Sequence, residues 1–183
     1  MFRMLLPVLV FGMMGHCPPS RAQEPLPGHV RAFLDTLGAE LLFPLDGGYK
    51  AVPLPRSPGF YPVHYLLRST SEKLDIRYSF QPDTSTQTPP HLEARRLALH
   101  LCSNDENAVI TARDLTDLER EELFNADWGK VHLFPPKQEF GDGAPFCQML
   151  SIYKEGRGMV HLFIMFEEPS PLLENRLYLV RFL

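Results

Sequence analysis

Apolar positions follow two periods along this chain. Over residues 29–40, Val30, Phe33, Leu34 and Leu37 recur at helical spacing after a Pro-Gly start, which predicts a short amphipathic helix limited by Gly38 and Pro44. A second stripe of Ala94, Leu97, Ala98 and Leu101 predicts a helix beginning at Pro90 or His91. Thr116-Asp117-Leu118-Glu119 fits a capping box, in which hydroxyl and carboxylate satisfy reciprocal orphan amides, so a short helix is expected to run to Asn125. From Ser170-Pro171 a final helix is expected through Phe182, although residues 176–183 also alternate as a strand would.

The period of two is clearest where Leu74, Ile76, Tyr78 and Phe80 alternate with Asp75, Arg77 and Ser79. With residues 63–68 and the polar turn 69–73 this makes a hairpin, one face apolar and the other meeting solvent or a polar layer. Residues 41–43 and 49–52 read as two short strands around Asp46-Gly47-Gly48. Prolines 53, 55, 58 and 62 belong on an edge or in a loop, and residues 82–90 form a flexible connector. Residues 128–134, 146–154 and 159–167 predict an antiparallel meander. Its last turn, 155–158, sets Ile152 opposite His161. Residues 160–166 are apolar on both parities, so that strand is expected to be central and covered twice. The sum is an α+β domain over 23–183: an antiparallel sheet of five to seven strands with helices on both faces.

Composition changes this picture in two ways. The chain has 183 residues, 44% hydrophobic, which is enough for one core, and a net charge of −4 that offers no uniform positive field to nucleic acid or anionic membranes. Residues 1–22 read as a secretory signal: Arg3, an apolar run from Met4 to Met14, and small residues at Ser20 and Ala22, with cleavage after Ala22. A lipid anchor on Cys17 is the rival, but His16 stands where a lipobox needs a small residue. The run is too short to span a bilayer. The protein is therefore expected to be exported, periplasmic or secreted. Losing Arg3 and Arg21 leaves 16 basic against 22 acidic residues, a net of −6. It also leaves Cys102 and Cys147, which are either a disulfide, in a compartment that permits one, or two buried thiols.

Candidate chemistry is sparse. Gly-x-Ser-x-Gly, His-Glu-x-x-His and a glycine-rich phosphate loop are all missing. In the expected register Cys147 and His161 lie on opposite faces and about 16 Å apart, too far for a dyad. His64, His132 and His161 fall on strand candidates and would need three strands to converge on a metal; the alternative is three hydrogen-bonded strand histidines. No cofactor is indicated. Asp75 and Arg77 share a strand face as an ion pair. Tyr49, Phe60, Tyr61 and Tyr65 cluster around the prolines, and an exposed aromatic-proline edge there, together with Trp128, is the candidate surface for a protein partner. The alternative for Trp128 is a core or boundary anchor between the capped helix and a strand.

Phe124-Asn125-Ala126-Asp127-Trp128-Gly129, Glu139-Phe140-Gly141 and Leu74-Asp75-Ile76-Arg77-Tyr78 resemble segments of a family of uncharacterised exported bacterial proteins, over roughly 41–183. The element order is similar to the PsbP-like α/β/α sandwich. The resemblance implies a non-enzymatic accessory module that binds a partner protein; it carries over no site residues. The alternative is a small periplasmic enzyme or metal-binding protein that uses the strand histidines.

Overall fold

In the computed structural model, residues 26–43, 48–54, 61–83 and 88–183 are described. The expected signal segment at 1–22, the 46–47 turn, Pro55, Pro58, Phe60 and residues 84–87 of the 82–90 connector fall outside them. The centre is a seven-stranded antiparallel sheet in the order β2-β3-β4-β8-β7-β6-β5, formed by β2 (Lys50–Ala51), β3 (Tyr65–Ser69), β4 (Leu74–Pro82), β5 (Thr111–Asp114), β6 (Trp128–Phe134), β7 (Phe146–Lys154) and β8 (Gly158–Phe166). A separate two-stranded sheet joins β1 (Ala39–Leu41) to β9 (Val180–Phe182). Helices lie on both faces, as the α+β reading requires.

Each face of the large sheet has its own core. On the first, α1 (Gly28–Leu37), α4 (Leu172–Leu177) and the β1–β9 pair pack Val30, Leu34, Leu37, Leu177 and Phe182 against Ile76, Tyr78, Leu150, Ile152, Leu162 and Ile164. On the second, α2 (Pro90–Leu101) and the short α3 (Gln138–Gly141) pack Leu97, Ala98, Leu101 and Phe140 against Phe134, Met149, Phe163 and Met165. Every residue of β8 is buried, because its alternate side chains enter alternate cores. All four residues of the α2 stripe are buried, as their spacing predicts.

Several sequence expectations are corrected. Residues 41–43 and 49–52 do not pair with each other: β1 meets the far end of the chain, and β2 adds to β3. The final helix stops at Leu177, and Val180–Phe182 is the strand that the alternation allowed. The capping box forms, with Glu119 accepting from the Thr116 amide and hydroxyl at 2.8 and 3.0 Å. The turn it starts, Glu119–Leu123, is wider than an α-helix, closing through Phe124 N–H to the Glu119 carbonyl. The polar face of β4 meets the polar layer that its alternation allowed. Arg77 is 6% exposed, donates to the Phe140 carbonyl and pairs with Asp142 at 2.6 Å, while Asp75 takes Arg68 at 2.6 Å and lies 3.8 Å from Arg77.

The β7–β8 hairpin also differs, by one residue. Lys154 faces Gly158, so the turn is 155–157 and Ser151, not Ile152, faces His161. Gly158 explains the slip. Its φ is +127°, and a β-carbon there would stand 2.2 Å from the Gln81 carbonyl oxygen. The glycine is therefore the first residue of β8, held against the end of β4, instead of the last residue of the turn.

Gly158→Ala is expected to destabilise the fold by about 3 kcal/mol or more, because strain and backbone overlap act together. Gly156→Ala, at φ +69° but facing open space, is expected to cost only about 1–2 kcal/mol. Urea unfolding of the two variants measures the difference; equal midpoints would refute this account of the register.

Candidate functional site

Of the aromatic edge expected near the prolines, Phe60 lies outside the described residues, and the other members are partly or wholly buried. Tyr65 is buried between Phe43 and Tyr78. Tyr49 is half-buried, donating to Glu72 at 2.5 Å while Arg176 stacks over its ring, and burial, reinforced by Glu72, pushes its hydroxyl pKa up. Glu72 and Arg176 themselves form a buried pair at 2.6 Å that fastens α4 to the β3–β4 turn. Tyr61 turns inward, its ring edge-on to His161 and Phe163 and its hydroxyl accepting from the Gln81 amide at 2.6 Å. Burial raises the Tyr61 hydroxyl to about 12 against the pull of Ser79 and Gln81. Trp128 is half-buried at the start of β6.

Cys102 and Cys147 are both buried free thiols, so the bridge does not form here. Cys147 faces Phe134 from β7, whereas Cys102 closes α2 and faces Pro136. The Ser103 amide and the Leu101 carbonyl bond to Pro135 and Lys137, the edge of that strand which lower down pairs with β5. The extended chain of β6 thus lies between the two cysteines, about 10 Å in strand spacings, beyond the reach of a disulfide. Burial raises both thiols.

The corrected register builds a different constellation. On the α2 face, Ser79 of β4, His161 of β8, Ser151 of β7, Lys130 of β6 and Asp114 of β5 stand opposite one another in turn, a polar row across five strands. Ser151 Oγ lies 2.8 Å from His161 Nδ1, and Lys130 Nζ lies 2.9 Å from Asp114. His132 stands on the same face, one step along β6. Ser79, Ser151 and His161 are wholly buried; Asp114, at the sheet edge, is exposed.

The buried end is chemically quiet. Burial, with a smaller contribution from His132, lowers His161 to about 3; burial, then Lys130, lowers His132 to about 4. Both rings are neutral at pH 7. A general base needs a pKa near the working pH, access to substrate and an orienting group. His161 has neither of the first two, and its Nε2, like His132 Nδ1, has no hydrogen-bond partner among the described residues. Cys147 shares the face of His161 but lies four ladder positions away, about 13 Å, so the dyad does not form. His64 lies on the α1 face, stacked on Phe80 and tilted against Phe33, so the three histidines do not converge. Among the described residues no group of three His, Cys, Asp or Glu side chains is placed to hold a metal.

Among the described residues no strand covers the outer side of β5, an element the sequence reading missed. Thr111 and Arg113 face Leu133 and Val131, and the ladder continues with Leu115 N–H to the Gly129 carbonyl. Odd-numbered residues therefore spend their backbone groups on β6, and the N–H and C=O of Ala112 and Asp114 point outward. Val109 and Leu133, 65% and 39% exposed, flank the edge. A depression of about 280 Å³ lies elsewhere, between Tyr61 and the α2 residues Glu93, Arg96, Leu97 and His100. No helix among the described residues is long and apolar enough to cross a membrane. Compared with known family models, curated proteins and solved structures, the chain matches none.

The neutral histidines give a pH prediction. Their folded pKa values are depressed, so their contribution is complete above the unfolded value near 6.5 and is lost as pH falls toward 4 for His132 and 3 for His161. Unfolding free energy is expected to drop by about 1.4 kcal/mol per pH unit for each histidine once well below 6.5. Urea titrations between pH 8 and pH 4 should show this slope, reduced in His161→Gln; an unchanged slope would contradict it. Ser151→Ala is expected to cost about 1–3 kcal/mol at pH 7 by stranding a buried ring nitrogen, read as a lower urea midpoint.

Proposed function

We propose that this chain is an exported, non-enzymatic accessory module that binds a partner protein, and that β5 is its docking edge. The observation that carries the reading is the contrast between the two ends of the polar row. The groups with catalytic potential, Ser151 and His161, are sealed and neutral, whereas the strand at the other end presents unspent backbone donors and acceptors. Natural sheets blunt such edges with charges held over them. On β5 the charges are drawn back, Asp114 to Lys130 and Arg113 to Glu119 and Glu174. Such an edge suits strand addition, in which main-chain bonds give affinity and alternate side chains give specificity. The apolar Val109 and Leu133 beside it supply area for burial. The resemblance to uncharacterised exported proteins with a PsbP-like element order, and the leader at 1–22, support export and an accessory role.

Ala112→Pro removes an outward N–H without breaking a ladder bond, so it tests the edge while sparing the fold. With a photo-crosslinking residue at Thr111, the chain is expected to form discrete protein adducts in the cells that make it, and Ala112→Pro is expected to remove at least nine-tenths of them. Adducts that survive Ala112→Pro unchanged would overturn the docking reading.

A further inference from the structure

We infer that the strand β5 accepts is β5 of a second copy of this chain, an inference that rests on the reading of β5 as a docking edge. Two copies would join about a two-fold axis through Ala112, merging two seven-stranded sheets into one of fourteen.

The argument lies in the register. Only even-numbered residues carry outward backbone groups, so an antiparallel self-pairing must set even residues opposite even residues; of the centres this allows, Arg113 and Asp114 would each face their own like charge, whereas Ala112 faces no charge and brings all of β5 into register. In that register Ala112 exchanges both its main-chain bonds with Ala112 of the second copy. Thr111 then faces Arg113, and Asp114 faces the position of Ile110. No like charges stand directly opposite, the arrangement that would most oppose pairing. Arg113 meets its own counterpart only diagonally, and each is already neutralised by Glu119 and Glu174. Asp114 lies four positions from its counterpart along the ladder, about 13 Å, and is paired with Lys130. At the axis the side chain is the smallest that has a β-carbon, so the two chains approach without a clash. The other edge of the sheet lacks this self-fit: β2 has two residues only.

Sedimentation equilibrium on the full chain, from about 5 µM to about 500 µM, tests the proposal. The wild type is expected to rise from its monomer mass of 20.9 kDa, or that of the chain without its leader, toward twice that value. Ala112→Pro is expected to remain monomeric. A second pair of variants avoids the backbone altogether: Ala112→Asp and Ala112→Lys, each on an exposed position, place like charges across the axis and are expected to weaken the dimer at least tenfold when alone. Mixed in equal amounts, they are expected to recover it, a rescue that only a register centred on Ala112 produces. A wild type that stays monomeric throughout, or an Asp/Lys mixture no better than either variant alone, would overturn the self-pairing. Should Ala112→Pro still abolish crosslinks to a different protein, the docking edge stands and only its occupant changes. If it abolishes neither dimer nor crosslinks, both readings fall.

Discussion

The whole structure hangs on a strand with no solvent side. All nine residues of β8 are buried, and a strand in that position is stable only when both of its faces are covered by something apolar. That requirement fixes the layering. α1, α4 and the β1–β9 pair must take one face, α2 and α3 the other, and β4 and β7 must flank it so that none of its backbone groups is left without a partner. The remaining strands extend outward from this centre, each less buried than the last, until β5 meets water.

Covering both faces has a cost in polar groups. β4, β7 and β8 carry arginine, serine and histidine side chains into the second core, where each must find a partner. Arg77 succeeds through the Phe140 carbonyl and Asp142, and Ser151 succeeds through His161. Arg77 Nε, His161 Nε2 and His132 Nδ1 have no partner among the described residues. The second core thus holds polar side chains, among them two histidines kept neutral by burial, while the first is almost wholly apolar. This difference separates a row of side chains that resembles reactive machinery from one that can react.

Much of the fold was readable where a short-range pattern is backed by packing. The α2 stripe, the β4 alternation and the doubly apolar β8 are local signals whose causes lie in the same residues that display them. The failures share a different cause. β1 and β9 are three residues each and pair across most of the chain, so neither displays its partner. β5 reads Thr-Ala-Arg-Asp, a half-exposed edge without apolar alternation. Tyr49 and Tyr65 sit among prolines, which suggests surface, but the first is recruited by Glu72 and Arg176 and the second by the α1 core. The polar row went unseen because it depends on a single residue of register, and the sign of that register is carried by Gly158, whose neighbour Gln81 is distant in sequence. A glycine at the mouth of a hairpin can belong to the turn or to the strand, and only a close approach from elsewhere decides.

The pairing of β1 with β9 bears on the order in which the molecule can be completed. Glu40 and Arg181 meet at 2.6 Å across a separation of 141 residues, and Leu183 N–H reaches the Gly38 carbonyl. Contacts so distant along the chain carry the largest loop-closure cost and form late. During ribosomal synthesis α1 and β1 emerge first yet must wait for the last residues before their side of the sheet is closed. In that interval Leu34, Leu37 and Leu41 have no permanent cover, and a nascent chain in this state exposes the greasy flank that holdase chaperones recognise.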